Sequence, residues 1–329
     1  MRHERNGRAA LTTMNVWLTL RSFGCERVVP GLLGAALLGG LWAGCAPDRS
    51  HRDGREDTLT SGVLTIAADP DVVPLVEATA RAFEASYPSA SIRVRARSSR
   101  DAMADVFANR ADLAVIGREI ESVERQAATE ARIDMEAFRW ARDGVAVITH
   151  PGNPVNQLSY DDLREILTGG NVSWGEFGGP DRRVVPVIQP PTRSLTQYVA
   201  SQLVGREDIV TAAVLADDDS AVTAYVARVP DALGFISQSS LRSGVKVLAV
   251  SRAAGLPYVE LDPETVYRRE YPLTRSYNLV ARVSGVMLGQ GFVTFALSGP
   301  GQRFVRDGHL VPASVPVSFT RRLPTASSH

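Results

Sequence analysis

Nucleophiles, bases and metal ligands are sparse in this chain. Four of its five histidines, His51, His150, His309 and His329, lie beyond residue 45, far apart, and two of these sit near an end of the sequence. A metal site or a catalytic triad would have to be built on His150 or His309, and neither comes with a set of partners. Beyond residue 45 there is no G-x-S-x-G elbow, no G-x-G-x-x-G or P-loop, and no H-E-x-x-H pair. Ser194 could serve as a nucleophile only with a base, and no histidine or lysine is matched to it. The two cysteines are Cys25 and Cys45. These residues argue against an enzyme and against a metal or cofactor.

What remains is the chemistry of charge. The chain has 36 basic and 36 acidic residues. That balance leaves no excess positive charge for a broad nucleic-acid-binding face. Lys246 is the only lysine, so nearly every cation is a guanidinium. Near the start, Asp69 and Asp71 flank Pro70. Asp71 suits the N-cap of a helix containing Pro74, where its carboxylate would itself occupy the positive end that an anion would use. Asp69 reads as a solvated loop residue. Further on, Ser194 and Gln197 form an S-x-x-Q pattern, so the Ser194 hydroxyl either caps a helix or faces a ligand. Arg118 and Arg193 either bind a ligand anion or pair with Asp69 and Asp71.

The elements that must position these groups alternate. Strand-like runs at 63–67, 91–97, 112–117, 136–141, 144–149, 184–188, 233–237, 245–250 and 277–283 are interleaved with helical periods. The helical stretches fall at 74–88, 101–110, 120–132, 194–204, 220–230, 287–298 and 300–307. Leu75, Thr79, Ala82 and Phe83 form an apolar stripe on the first of them. Ser159 and Asp162 give a capping signal for another helix, ending at Leu167. Strands alternating with helices predict an α/β fold with mostly parallel or mixed sheets. A length of 329 residues predicts two domains at about 150 residues each.

The first 45 residues read as an address. Arg2, Arg5, Arg8, Arg21 and Arg27 outnumber Glu4 and Glu26, and an apolar run from Val28 to Gly44 follows. That order describes a secretory signal. Pro30 and the glycines at 31, 34, 39, 40 and 44 weaken the alternative of a membrane-spanning helix. The string Leu41-Trp42-Ala43-Gly44-Cys45 resembles a bacterial lipobox, with Trp42 where an aliphatic residue is usual; it implies lipidation of Cys45. Cleavage there removes five basic and two acidic residues, leaving 31 against 34, a net charge of −3. It also leaves no thiol, and so no disulfide and no cysteine-bound metal. Residues 46–61 are polar and predict a flexible tether.

Three stretches carry a family resemblance. They are HPGNPVNQLSYDDLREILTGGNVSWGEFGG (150–179), YPLTRSYNLVAR (271–282) and FALSGPGQRFVRDGHLVP (295–312), with weaker matches at NRADLAVIGREI (109–120) and ALGFIS (232–237). In order and register they resemble the PstS-like phosphate-binding components of bacterial ABC importers, over nearly the whole chain from Val63 to Pro312. The resemblance implies a two-lobed, Venus-flytrap α/β fold of the periplasmic binding proteins, each lobe a mixed sheet flanked by helices. Lobe one would comprise 62–146 plus 278–329, and lobe two 147–277. It implies an extracytoplasmic, monomeric receptor, membrane-anchored through lipid. The receptor would bind a small anion, with phosphate first, between its lobes and deliver it to an ABC permease. The alternative is a scaffold or sensor that keeps the fold but no longer binds free phosphate.

Mapped residue by residue, the ligand loops depart from that family's pattern. Ala68-Asp69-Pro70-Asp71 stands where the family has a glycine, two serines and a threonine. Gly117-Arg118 occupies the second loop. In QPPTRSLTQ (189–197) Ser194 and Thr196 are kept, Leu195 replaces a glycine, Pro190 replaces an arginine, and Arg193 precedes Ser194. The ligand set implied is Asp69, Asp71, Arg118, Arg193, Ser194 and Thr196. A carboxylate about 4 Å from a dianion costs several kcal/mol at intermediate dielectric. Two carboxylates in one loop therefore predict either phosphate held mainly by Arg118, Arg193, Ser194 and Thr196, or a ligand carrying its own positive charge.

Overall fold

The computed structural model describes residues 56–169, 172–205 and 213–313. The signal, Cys45 and the tether as far as residue 55 lie outside this range. In chain order the elements are β1 (Gly62–Ala68), α1 (Val73–Ser86), β2 (Ala90–Ala96), α2 (Ser99–Phe107), β3 (Leu113–Ile116), α3 (Ser122–Glu130) and β4 (Met135–Thr149). Next come β5 (Gln157–Ser159), α4 (Tyr160–Leu167), β6 (Val185–Ile188), α5 (Ser194–Val199), β7 (Val214–Leu215), α6 (Asp219–Val226) and β8 (Ala232–Ser237). The described chain closes with β9 (Lys246–Val247), β10 (Ala249–Ser251), α7 (Pro263–Arg268), β11 (Thr274–Arg282), α8 (Met287–Leu297), α9 (Gly299–Asp307) and β12 (Val311–Pro312).

The strands run β2-β1-β3-β11-β4-β8-β6-β7. β1 lies parallel to β2 and β3, whereas β11 is antiparallel to both β3 and β4, so the first sheet is mixed. β4 then pairs antiparallel with β8, and β6 lies parallel to both β8 and β7. A single long strand, β4, thus belongs to both sheets. Its first part pairs with β11 up to Gly144, and its last five residues, from Val145, pair with β8.

A separate core sits behind each part of this sheet. Phe83, Trp140, Leu279, Phe292 and Leu64 pack together on one side of the crossing. Trp174, Phe235, Tyr271, Leu163 and Val145 form the other cluster. The fold is therefore two-lobed, with mixed sheets flanked by helices. α1 supplies Leu75, Val76, Thr79, Ala80 and Phe83 to the first core; its buried stripe runs through Val76 and Ala80, with Ala82 at its margin. Fully burying a side chain such as Phe83 is worth about 1.5–3 kcal/mol.

Several motif residues prove to be builders of this scaffold. Ser159 and Asp162 form the expected capping box at α4. Trp174 is fully buried and donates from Nε1 to the Asp231 carbonyl. Ser298 caps α9, and Gln302 donates from Nε2 to the carbonyls of Trp140 and Ala296. Gly301 permits the tight α8–α9 corner, because a Cβ there would lie 2.2 Å from the Phe295 carbonyl oxygen.

Three expectations need correction. The strands expected at 136–141 and 144–149 are the one strand β4; the charged Arg142-Asp143 pair between them reads as a break but continues the strand, with Asp143 buried. The strand expected over 245–250 divides into β9, on β4, and β10, which pairs with β5. The expected tether is already fixed at Asp57, whose carboxylate accepts from the backbone N–H groups of Met287 and Leu288 at 2.9 and 3.2 Å.

Candidate functional site

The site is assembled where β1, β3, β6 and β8 end and where β4 meets β11. Asp143 on β4 stands directly opposite Arg275 on β11, so both side chains project from one face. Arg275 Nε donates to Asp143 Oδ2 at 2.8 Å, and both side chains are almost wholly buried. The remaining guanidinium donors point onward. Nη1 reaches Ser194 Oγ at 3.0 Å, and Nη2 reaches Tyr277 Oη at 2.5 Å and Asp71 Oδ2 at 3.3 Å. The Tyr277 ring also lies under the guanidinium, 4.9 Å from its centroid.

Asp71 is the meeting point. It sits in a 3-10 turn, Pro70–Val72, between β1 and α1. Its Oδ1 accepts from Arg193 Nη2 at 2.5 Å, and its Oδ2 accepts from Ser194 Oγ at 3.3 Å as well as from Arg275. Two guanidinium groups and a hydroxyl therefore converge on one carboxylate from segments 122, 123 and 204 residues away in sequence. Arg193 is steadied from behind by Gln189 Oε1, at 3.2 Å from its Nε.

Asp69 is a different kind of residue. It is 1% exposed, caps the 3-10 turn by accepting from Asp71 N at 3.1 Å, and accepts from Ser99 Oγ at 2.6 Å. Ser99 Oγ in turn accepts from Gly117 N at 3.0 Å, tying β1, α2 and the end of β3 together. Burial, and then the neighbouring Asp71 charge, push the Asp69 pKa up. Gly117 is a point of close approach: a Cβ there would meet Ser194 Oγ at 2.6 Å and Tyr277 Cε1 at 3.1 Å.

A further carboxylate, Asp219 at the start of α6, accepts from Gln189 Nε2 and from Ser237 N. Burial pushes its pKa up to about 6. Ser237 Oγ links this corner to Asp143 Oδ1 at 2.8 Å. Burial raises the pKa of Asp143 too, against the pull of Arg275. Among the described residues no group of histidines, cysteines and carboxylates could hold a metal ion, and no helix is long and apolar enough to cross a membrane.

Of the six residues implied for the ligand, four gather here: Asp69, Asp71, Arg193 and Ser194. Two are engaged elsewhere. Arg118 makes a bidentate pair with Glu124 at 2.8 and 2.7 Å and lies 3.3 Å from Glu121, so its guanidinium belongs to α3. Thr196 is buried and donates to the Gln189 carbonyl at 3.0 Å. The local readings shift as well. Asp69, not Asp71, makes the cap of the 3-10 turn, and α1 begins at Val73 with Val72 at its N-cap position and no side-chain cap. Ser194 makes no capping box with Gln197, because α5 has Arg193 at its N-cap position and the Ser194 hydroxyl is committed to Arg275 and Asp71. Of the two pairings foreseen for the arginines, Arg193 takes Asp71 and Arg118 takes neither.

Arg275 and Asp143 are the residues the sequence reading passed over. Asp143 follows Arg142 at the start of the fully buried half of β4, and Arg275 is buried near the start of β11; a buried charge must be paired, and these two face each other. Arg275 brings a buried guanidinium against the third loop, donating to Ser194 Oγ at 3.0 Å.

Known proteins bear on this geometry. A family profile described as a PBP superfamily domain matches residues 53–300. The phosphate-binding protein PstS of Bacillus subtilis is 25% identical over 277 residues, 83% of this chain and 88% of the relative. PstS of Pseudomonas aeruginosa is 22% identical over 300 residues, 85% of this chain and 93% of the relative. Among solved structures, a putative phosphate ABC transporter substrate-binding protein from Clostridium perfringens, with bound phosphate, superposes with a TM-score of 0.67 at 26% identity. That match covers 77% of this chain and 100% of the other.

Proposed function

We propose a function from the premise that this chain belongs to the PBP superfamily and, within it, to the PstS-like solute-binding proteins: it is the receptor of an ABC importer, and it takes a small oxyanion, phosphate first, between its lobes. One observation carries the reading. Arg275, Arg193 and Ser194 direct their donors at a single position already occupied by an anionic group, the Asp71 carboxylate. Two charged donors and a hydroxyl around one anion are the chemistry of oxyanion recognition, and charge-assisted hydrogen bonds are roughly twice as strong as neutral ones. Burial of Arg275 strengthens each of them by excluding water. The relatives named for phosphate binding support the choice of ligand.

In this reading the lobes are residues 62–146 with 278–329 and residues 147–277, closing by hinge motion about β4 and β11. The protein works outside the cytoplasm as a monomer, held to the membrane by lipid on Cys45, and passes its ligand to a permease. It has no catalytic role. A second reading, a scaffold or sensor that binds no free phosphate, is favoured by the same Asp71, since the anion position is filled from within. Isothermal titration with inorganic phosphate separates the two. The receptor reading expects saturable one-to-one binding, micromolar or tighter, with sulfate weaker. Absence of phosphate binding up to millimolar concentration supports the scaffold.

A further inference from the structure

We propose that Asp71 is the site's own resident anion: it clamps the two lobes together when no solute is bound, and an incoming oxyanion must displace it. This rests on the reading of the site as an oxyanion receptor. Asp71 belongs to the lobe built on β1 and α1, whereas Arg193, at the N-cap of α5, and Ser194, its first residue, belong to the other. The contacts at 2.5 and 3.3 Å therefore span the lobes. The Asp71 side chain is 6% exposed and Arg193 only 23%, so the clamp is sheltered from solvent.

The backbone that carries Asp71 is held independently. Its N–H donates to Asp69, which is fixed by Ser99, which receives Gly117 N. The side chain can consequently swing away by rotation about its own bonds while the turn stays in place. The carboxylate and a phosphate could not share the position. Both would need the same donors on Arg193, Arg275 and Ser194, and two anions at contact distance repel. An internal competitor scales the apparent affinity down to the fraction of time it leaves the site free. Substituting Asp71 thus exchanges a self-closed, weaker receptor for an open, tighter one.

The test compares the purified protein with Asp71→Ser and Asp71→Asn, by small-angle X-ray scattering and phosphate titration, after circular dichroism has checked folding. Wild type without phosphate is expected to scatter like wild type with it. Asp71→Ser without phosphate should have a larger radius of gyration, contract when phosphate is added, and bind phosphate about tenfold or more tightly than wild type. Asp71→Asn, which keeps the shape and removes the charge, should fall on the same side and serves if the serine variant does not fold. Equal scattering of ligand-free wild type and both variants, with phosphate affinity unchanged or lower, overturns the proposal while leaving phosphate binding standing. Opening of the variants with no phosphate binding by any form supports the clamp and overturns the choice of ligand.

Discussion

Asp143, Asp219, Asp69 and Asp71 surround Arg275 and Arg193, so a small buried region holds more carboxylates than guanidinium groups. Asp219 shows how that imbalance is relieved. Its pKa rises from 3.8 to about 6, with burial the leading cause and the charges of Asp71 and Asp143 adding to it against Arg275. Below about pH 4 the group is protonated in both folded and unfolded chains. As pH rises, the unfolded chain gives up its proton first, so this group's contribution to stability falls until the folded form ionises near pH 6, and is flat above. Wild type should accordingly lose up to about 3 kcal/mol of stability relative to Asp219→Asn between pH 4 and pH 7. Urea denaturation across that range measures it. A difference that does not change with pH would place the proton elsewhere. Arg118 shows the opposite economy: it reads as a ligand residue by position, yet Glu124 at the third helical position of α3 already claims it. Sequence order does not reveal which of two acidic neighbours an arginine will meet.

At the scale of the elements, local signals were legible where they act locally. The Ser159–Asp162 box closes as the spacing predicts, with Ser159 N on Asp162 Oδ2 at 2.7 Å and Asp162 N on Ser159 Oγ at 3.2 Å. Replacing Ser159 with alanine should destabilise the protein by about 1 kcal/mol, the ordinary worth of an N-cap, as thermal or chemical denaturation will show. No loss of stability would mean that α4 is held by its packing alone. The equivalent signal at Ser194 misleads because tertiary partners outbid the helix: Arg275 comes from β11, 81 residues further along. β4 was divided in the sequence reading for the same reason. Asp143 interrupts its hydrophobic pattern, and a carboxylate is tolerable there because Arg275 faces it and Ser237 Oγ and Gln238 N donate to it. Pattern reading therefore gave the order of the strands and helices, and failed where a buried charge pair interrupts a strand or where one apolar run is divided between two partner strands.

At the scale of the whole molecule, the two-lobed architecture follows from one strand that serves two sheets and one return strand that closes the circuit. The motifs that made the family recognisable, Trp174, Ser298, Gly301 and Gln302 among them, are scaffold residues, which is why the fold was more legible than the site, where Asp69, Asp71, Arg193 and Ser194 gather as expected but Arg275 and Asp143 were passed over. In the proposed site the charges belong to Asp71, which the loop comparison marks, and to Arg275, which lies inside the 271–282 motif without being singled out by it. In the proposed receptor an oxyanion sits where Arg275, Arg193 and Ser194 converge. A crystal structure of the protein grown with phosphate tests it most directly. Tetrahedral density within hydrogen-bonding distance of Arg275 Nη1 or Nη2, Arg193 and Ser194 Oγ, with the Asp71 carboxylate turned aside, is the predicted result. Phosphate bound away from these three residues, with the Asp71 contacts intact, would contradict it.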